Sequence, residues 1–155
     1  MGKGYIYTCE KCGEEYRFYL GCGMFCFREE QLFDLERPVG GILEICHDAE
    51  EKNIVRELVQ SKKYHLVEGY GYKICKCEEC GRFYNKFSFE LFSREDKDGY
   101  ISKMICKKCD KELRILKAED IKGENIPGEC IKCGNTEFEF GFLNWDWYKF
   151  VNYTN

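Results

Sequence analysis

The sequence predicts a small, β-rich α+β fold built around bound metal. Three features carry that expectation: four Cys-x-x-Cys pairs spread over 155 residues, short alternating strands beside them, and one amphipathic helix. The pairs are Cys9/Cys12, Cys77/Cys80, Cys106/Cys109 and Cys130/Cys133. Two thiolates three residues apart grip one side of a tetrahedral metal, and two such pairs complete a four-cysteine site. Four pairs therefore read as two metal sites, with these eight cysteines as the ligands.

The elements follow in chain order. Tyr5-Ile6-Tyr7 leads into the first pair, and Tyr16, Phe18 and Leu20 then share one face of a strand. A helix is expected from about His47 to Tyr64, with Ile54, Val55, Leu58 and Val59 as its apolar stripe and Glu50, Glu51, Lys52, Arg56, Glu57 and Lys62 around it. Asp48 is placed to cap it, with Glu51 three residues on. Gly40-Gly41 and Gly69-Tyr70-Gly71-Tyr72 read as turns on either side. Tyr72-Lys73-Ile74 leads to the second pair, and Phe87, Phe89 and Leu91 alternate after it. Ile101 to Ile105 and Leu113 to Leu116 are strand-like flanks of the third pair, and Phe138, Phe140 and Phe142 alternate after the fourth. Period-two patterns of this kind suit half-buried antiparallel strands. Gly13, Gly81 and Gly134 follow three of the pairs and Asp110 follows the fourth, where the chain is expected to turn through a left-handed conformation.

Three ways of pairing the knuckles exist. Cys77/Cys80 and Cys106/Cys109 leave 25 residues between them, room for a hairpin with Lys86–Ser93 running out and Tyr100–Ile105 returning near the Asp98-Gly99 turn signal. Residues 72–117 thus resemble a zinc ribbon. Tyr7-Thr8-Cys9-Glu10-Lys11-Cys12-Gly13-Glu14-Glu15-Tyr16 resembles the first knuckle of a rubredoxin, and Cys130-Ile131-Lys132-Cys133-Gly134 is similar to the second, although 117 residues separate the two. These resemblances imply that the terminal knuckles share one site and the central knuckles the other. The rival pairing joins Cys106/Cys109 to Cys130/Cys133 and leaves Cys9/Cys12 with Cys77/Cys80. The expected organisation is a rubredoxin-like module of 1–28 with 118–155, a helical connector over 29–71, and a zinc-ribbon module over 72–117.

Closed all-sulfur sites suit Zn2+, two per chain, or Fe; the rubredoxin resemblance makes iron an option at Cys9/Cys12/Cys130/Cys133. Four protein ligands leave no open position for activating water, which argues against hydrolytic metal catalysis. Lys11, Lys107, Lys108 and Lys132 lie inside the knuckles, where an ammonium offsets the charge of a tetrathiolate site. Formal net charge is −4, and two such sites would take it to about −8, a poor field for a polyphosphate. Charge is uneven, however: residues 76–117 hold eleven basic and eight acidic residues, against ten and thirteen before them and three and seven after. Twelve cysteines with no apolar stretch near Met1-Gly2-Lys3-Gly4-Tyr5-Ile6 point to a reducing, cytoplasmic setting without a signal peptide, and no apolar run is long enough for a membrane span.

Cys22 and Cys26 read as small buried hydrophobes, whereas Cys75, next but one to Cys77, is a candidate substitute ligand. Cys46-His47 is the nearest approach to a nucleophile and base, but adjacent residues do not face one another and no third group orients them. With two histidines and four serines, no Ser-His-Asp set is evident, and an enzyme is not favoured. Leu143 to Tyr148 and the basic, aromatic stretch from Tyr84 to Lys108 are candidate contact surfaces. The function these features indicate is a structural two-zinc module that binds a protein partner, with nucleic acid less favoured by charge. The alternative is a rubredoxin-like iron electron carrier or a thiol/zinc redox switch.

Overall fold

The computed structural model describes residues 3–22, 28–37, 40–117, 120–121 and 125–143. Its strands are β1 Lys3–Cys9, β2 Glu15–Leu20, β3 His65–Leu66, β4 Gly71–Lys76, β5 Phe83–Ser88, β6 Glu90–Ser93, β7 Asp98–Ile101, β8 Arg114–Ile115 and β9 Phe138–Leu143. Helices α1 Glu29–Leu32, α2 Ile42–Ile45 and α3 Ala49–Gln60 lie between β2 and β3. The strands form three antiparallel, three-stranded sheets with orders β2-β1-β9, β3-β6-β7 and β5-β4-β8. Among the described residues no helix is long and apolar enough to cross a membrane.

Two of the sheets share one plan. A central strand (β1 or β4) runs into a Cys-x-x-Cys turn and returns as a hairpin partner (β2 or β5). A strand that follows a later Cys-x-x-Cys turn (β9 or β8) pairs along the other edge. Tyr7 opposes Tyr16 in the first sheet and Cys75 opposes Tyr84 in the second, so the two copies superimpose in register as well as in order. The second copy is inserted in the chain between β2 and β9 of the first. The copies meet at a Gly21–Tyr72 bridge, where Gly71 is required: a Cβ there would lie 2.7 Å from the Gly21 carbonyl carbon, and its φ is 140°. Asn85 reinforces the seam by accepting from the Tyr19 amide and donating to the carbonyls of Tyr19 and Lys73. Phe18, Ile74, Leu116 and Ile126 form the apolar core between the two sheets.

Among the described residues the largest core lies elsewhere, where α3 and α2 cover the third sheet through Ile42, Val55, Val59, Phe89 and Leu91. Helix α3 is shorter than the expected His47–Tyr64. It starts at Ala49 because the Asp48 carboxylate caps it, accepting from the Glu51 amide at 2.7 Å. It stops because Lys62 turns left-handed, with φ 59°. Glu51 departs from its expected place on the solvated face. It is fully buried in line with Val55 and Val59, and its carboxylate accepts from the His47 amide, the Tyr100 hydroxyl and the Lys103 amide. A buried carboxylate is tolerated only when donors surround it.

The expected central hairpin also differs in detail. The segment Lys86–Ser93 is not one strand: β5 ends at Ser88, and β6 belongs to a different sheet. Phe89 marks the switch, exchanging hydrogen bonds with Ser102 through its amide and carbonyl. The returning strand ends at Ile101, the reversal lies at Arg94–Lys97, just before Asp98-Gly99, and Ile105 pairs instead with Glu112 across the Cys106–Cys109 knuckle. The alternation of Phe87, Phe89 and Leu91 runs across that break, all three buried. Removing the Glu51 carboxylate leaves three part-buried donors without their acceptor. The Glu51→Ala change is expected to cost about 3 kcal/mol or more, read as a lowered denaturation midpoint of the metal-loaded chain. A shift below about 0.5 kcal/mol would mean that the carboxylate is not an organising contact.

Candidate metal centres

All four Cys-x-x-Cys segments adopt one turn. The amide of the leading cysteine donates to the carbonyl five residues on: Cys9 to Glu14, Cys77 to Arg82, Cys106 to Lys111 and Cys130 to Asn135, at 2.8–2.9 Å. The amide four residues on donates back to the leading cysteine's carbonyl, from Gly13, Gly81, Asp110 and Gly134. Each of these four residues is left-handed, with φ of 72°, 69°, 56° and 72°. Asp110 therefore does the backbone work that glycine does in the other three, as a short polar side chain can.

These turns bring the eight cysteines into two cages. Cys9, Cys12, Cys130 and Cys133 form one, and Cys77, Cys80, Cys106 and Cys109 the other; within each, all sulfurs lie within 4.8 Å of one another. The closest approaches cross between knuckles: Cys9–Cys133 and Cys12–Cys130 at 3.6 Å, Cys77–Cys109 at 3.2 Å and Cys80–Cys106 at 3.7 Å. Four sulfurs about 2.3 Å from a common centre form a tetrahedron with edges of about 3.8 Å, so each cage has the dimensions of a tetrathiolate metal site. The eleven described cysteines are all free thiols. In every knuckle the leading cysteine is buried (Cys9 and Cys130 are 1% exposed, Cys77 and Cys106 0%) and the second is half-buried. The cages are thus closed on the protein side, and solvent meets them at Cys12, Cys133, Cys80 and Cys109.

Hydrogen bonds reach the buried sulfurs. The Tyr16 hydroxyl, 3.4 Å from Cys130 Sγ, donates to it while accepting from the Ile131 amide at 2.9 Å. The Tyr84 hydroxyl lies 3.1 Å from Cys106 Sγ, the Lys108 amide donates to the same sulfur at 3.4 Å, and the Asn135 amide group donates to Cys9 Sγ at 3.6 Å. The thiols respond. Cys130 is held down at about 6, first by the Tyr16 hydroxyl and then by backbone amides of its own knuckle. Burial pushes Cys106 up, but the Tyr84 hydroxyl and the amides of Lys108 and Cys109 outweigh it and bring it to about 6. Cys109 goes the other way, to about 12, through sharing a proton with Cys77 and through burial. A cage of four thiols without metal accumulates negative charge with difficulty, and a divalent cation removes that obstacle.

The remaining candidates fall outside the cages. Cys75 is fully buried against Met104, Cys106 and Leu113, at the position equivalent to Tyr7, and burial pushes its thiol up to about 11; it belongs to neither sulfur group. Cys46 is buried, donates to the Ile42 carbonyl and is raised to about 12 by burial, while the His47 ring lies against Lys86 Nζ at 3.3 Å, so the two make no catalytic pair. Cys22 donates to the Tyr70 carbonyl, and exposed His65 contacts Glu29. Cys26 and Trp145 to Tyr148 lie outside the described residues. Sequence reasoning noted Tyr16 as a strand-face aromatic and Tyr84 as part of a basic, aromatic surface, and gave neither a role at a cage. The signal was present, since both stand seven residues after a leading cysteine in Cys-x-x-Cys-Gly-x-x-Tyr.

Comparison with protein-family models, curated proteins and solved structures returned no match for this chain, so its chemistry is read from the geometry of the cages.

Metal capture must displace the remaining thiol protons. Affinity is therefore expected to fall as pH drops from about 8 to about 5, steeply once the Cys106 and Cys130 thiolates themselves protonate near 6. Competition with a chromophoric chelator measures it, and a flat profile would remove these thiolates as ligands. In the same assay, Cys9→Ser and Cys130→Ser should each lose the same single metal, and Cys77→Ser and Cys106→Ser the other. Loss of one shared metal by Cys9→Ser and Cys77→Ser would overturn the grouping.

Proposed function

We propose that this chain is a zinc-binding protein with two structural tetrathiolate sites, one at Cys9, Cys12, Cys130 and Cys133 and one at Cys77, Cys80, Cys106 and Cys109. The observation that carries this reading is the pair of closed all-sulfur cages, whose cross-knuckle spacings suit a tetrahedral ion. A closed cage offers no position for substrate or activated water, so the metal's task is to hold the chain. Zinc suits four thiolates and has no redox chemistry of its own. The first cage has a rubredoxin-like knuckle sequence and the second a ribbon-like hairpin.

A protein so built presents surfaces rather than a reaction centre, and we read it as an adaptor that docks on another protein. The support is the tip of the Cys106–Cys109 knuckle, where Lys107, Lys108 and Lys111 are exposed and make no ion pair among the described residues. Such a patch suits an acidic protein surface, whereas the overall net charge of −4 opposes the long polyanion of a nucleic acid.

Protein purified without added metal is expected to be colourless and to carry two zincs per chain. Chelation should abolish much of its β-sheet circular dichroism, because ligand energy is folding energy in such sites. A red chromophore with iron bound would replace this reading with electron transfer at the first cage. An unchanged spectrum after complete metal removal would refute a structural role.

A further inference from the structure

Each cage carries one side chain that the metal reading does not require. Tyr16 lies on β2 and Tyr84 on β5, at the same place in the two copies of the sheet plan. Each stands in the strand that leaves the first knuckle of its cage, and each hydroxyl contacts the buried leading sulfur of the other knuckle, Cys130 or Cys106. The contacts join residues 114 and 22 apart in sequence, so each links two halves of a cage that the chain itself does not hold together. The direction of the proton is fixed in the first case. The Ile131 amide donates to the Tyr16 oxygen, leaving the hydroxyl proton for Cys130 Sγ. In the second, a metal-bound Cys106 has no proton to give, so Tyr84 must donate.

We propose that Tyr16 and Tyr84 are the positioning residues of the two cages, each clamping the buried sulfur of the opposite knuckle and thereby setting how slowly its cage releases metal. The inference rests on the metal reading above. A hydrogen bond to a metal-bound thiolate is charge-assisted and ties that sulfur to the opposite half of the cage. It also fixes the sulfur's direction while the half-exposed Cys12 and Cys133, or Cys80 and Cys109, are open to competing ligands. Tyr16 and Tyr84 line one cleft of about 560 Å³, together with Cys80 and Cys130. Partners of metal ligands in comparable sites change affinity by about 10- to 100-fold when removed.

The test uses the full chain loaded with two zincs and an excess of a chromophoric chelator. Tyr16→Phe should speed release of one metal equivalent about tenfold or more and leave the other unchanged; Tyr84→Phe should speed the other. Loaded with Co2+ instead, each variant should shift the sulfur-to-metal charge-transfer absorption of one site, which a purely structural role would not do. Tyr7→Phe is the control, since Tyr7 opposes Tyr16 on the same sheet and makes no sulfur contact among the described residues. Equal acceleration by Tyr7→Phe, or acceleration of both metals by one substitution, would show a general loosening and overturn the proposal. Two retained zincs with unaltered rates and spectra would also overturn it while leaving the metal reading intact. Wild-type protein that binds no metal would sink both.

Discussion

The sulfur-to-sulfur closure between distant knuckles is the constraint on which the rest of the structure depends. Cys9 and Cys133 are 124 residues apart and Cys77 and Cys109 are 32 apart, yet each pair ends within 3.6 Å. Holding the ends of a flexible loop costs about 5 kcal/mol for the longer separation and only about 1 kcal/mol less for the shorter. A zinc of the kind proposed contributes about 10–16 kcal/mol, enough to close either loop with a surplus. The core behind the second cage consists of Cys75, Cys77, Met104, Cys106 and Leu113, and three of those five residues are cysteines, two of them cage members. The α3 side, with Val55, Phe89 and Leu91 at its centre, is an ordinary hydrophobic core by contrast.

What was legible in the sequence was what a local rule encodes. A Cys-x-x-Cys spacing specifies a turn, and a glycine or aspartate four residues after the leading cysteine specifies its left-handed exit, so all four knuckles could be read in advance. The Asp48 cap is equally local. The remainder depended on partners distant in the chain. Glu51 sits on a helix among charged neighbours and looks solvated; only the Tyr100 hydroxyl and the Lys103 amide, some fifty residues away, make its burial tolerable. The break at Phe89 was hidden because period-two burial continues through it while the pairing partner changes. Helices α1 and α2 are single turns, too short to show a 3.6-residue period. Tyr16 and Tyr84 looked like ordinary strand aromatics, since alternation reports that a ring faces inward and says nothing of what its hydroxyl touches.

The duplicated plan separates what the cage dictates from what it leaves free. The cysteines, the left-handed residue and the inward tyrosine are constrained by geometry in both copies. The position two residues before the knuckle tolerates Tyr7 in one and Cys75 in the other, because it needs only to fill a core. The two residues between the cysteines face solvent and are constrained least. They are Glu10-Lys11 and Ile131-Lys132 on the first cage, and Glu78-Glu79 and Lys107-Lys108 on the second. A tetrathiolate centre has a charge of −2, and a lysine at a knuckle tip offsets it most effectively from within a few ångströms. On the second cage both tip lysines belong to one knuckle and both acids to the other, so its two tips differ in sign. The second cage thus carries an electrostatic polarity that the first, with one lysine on each tip, lacks.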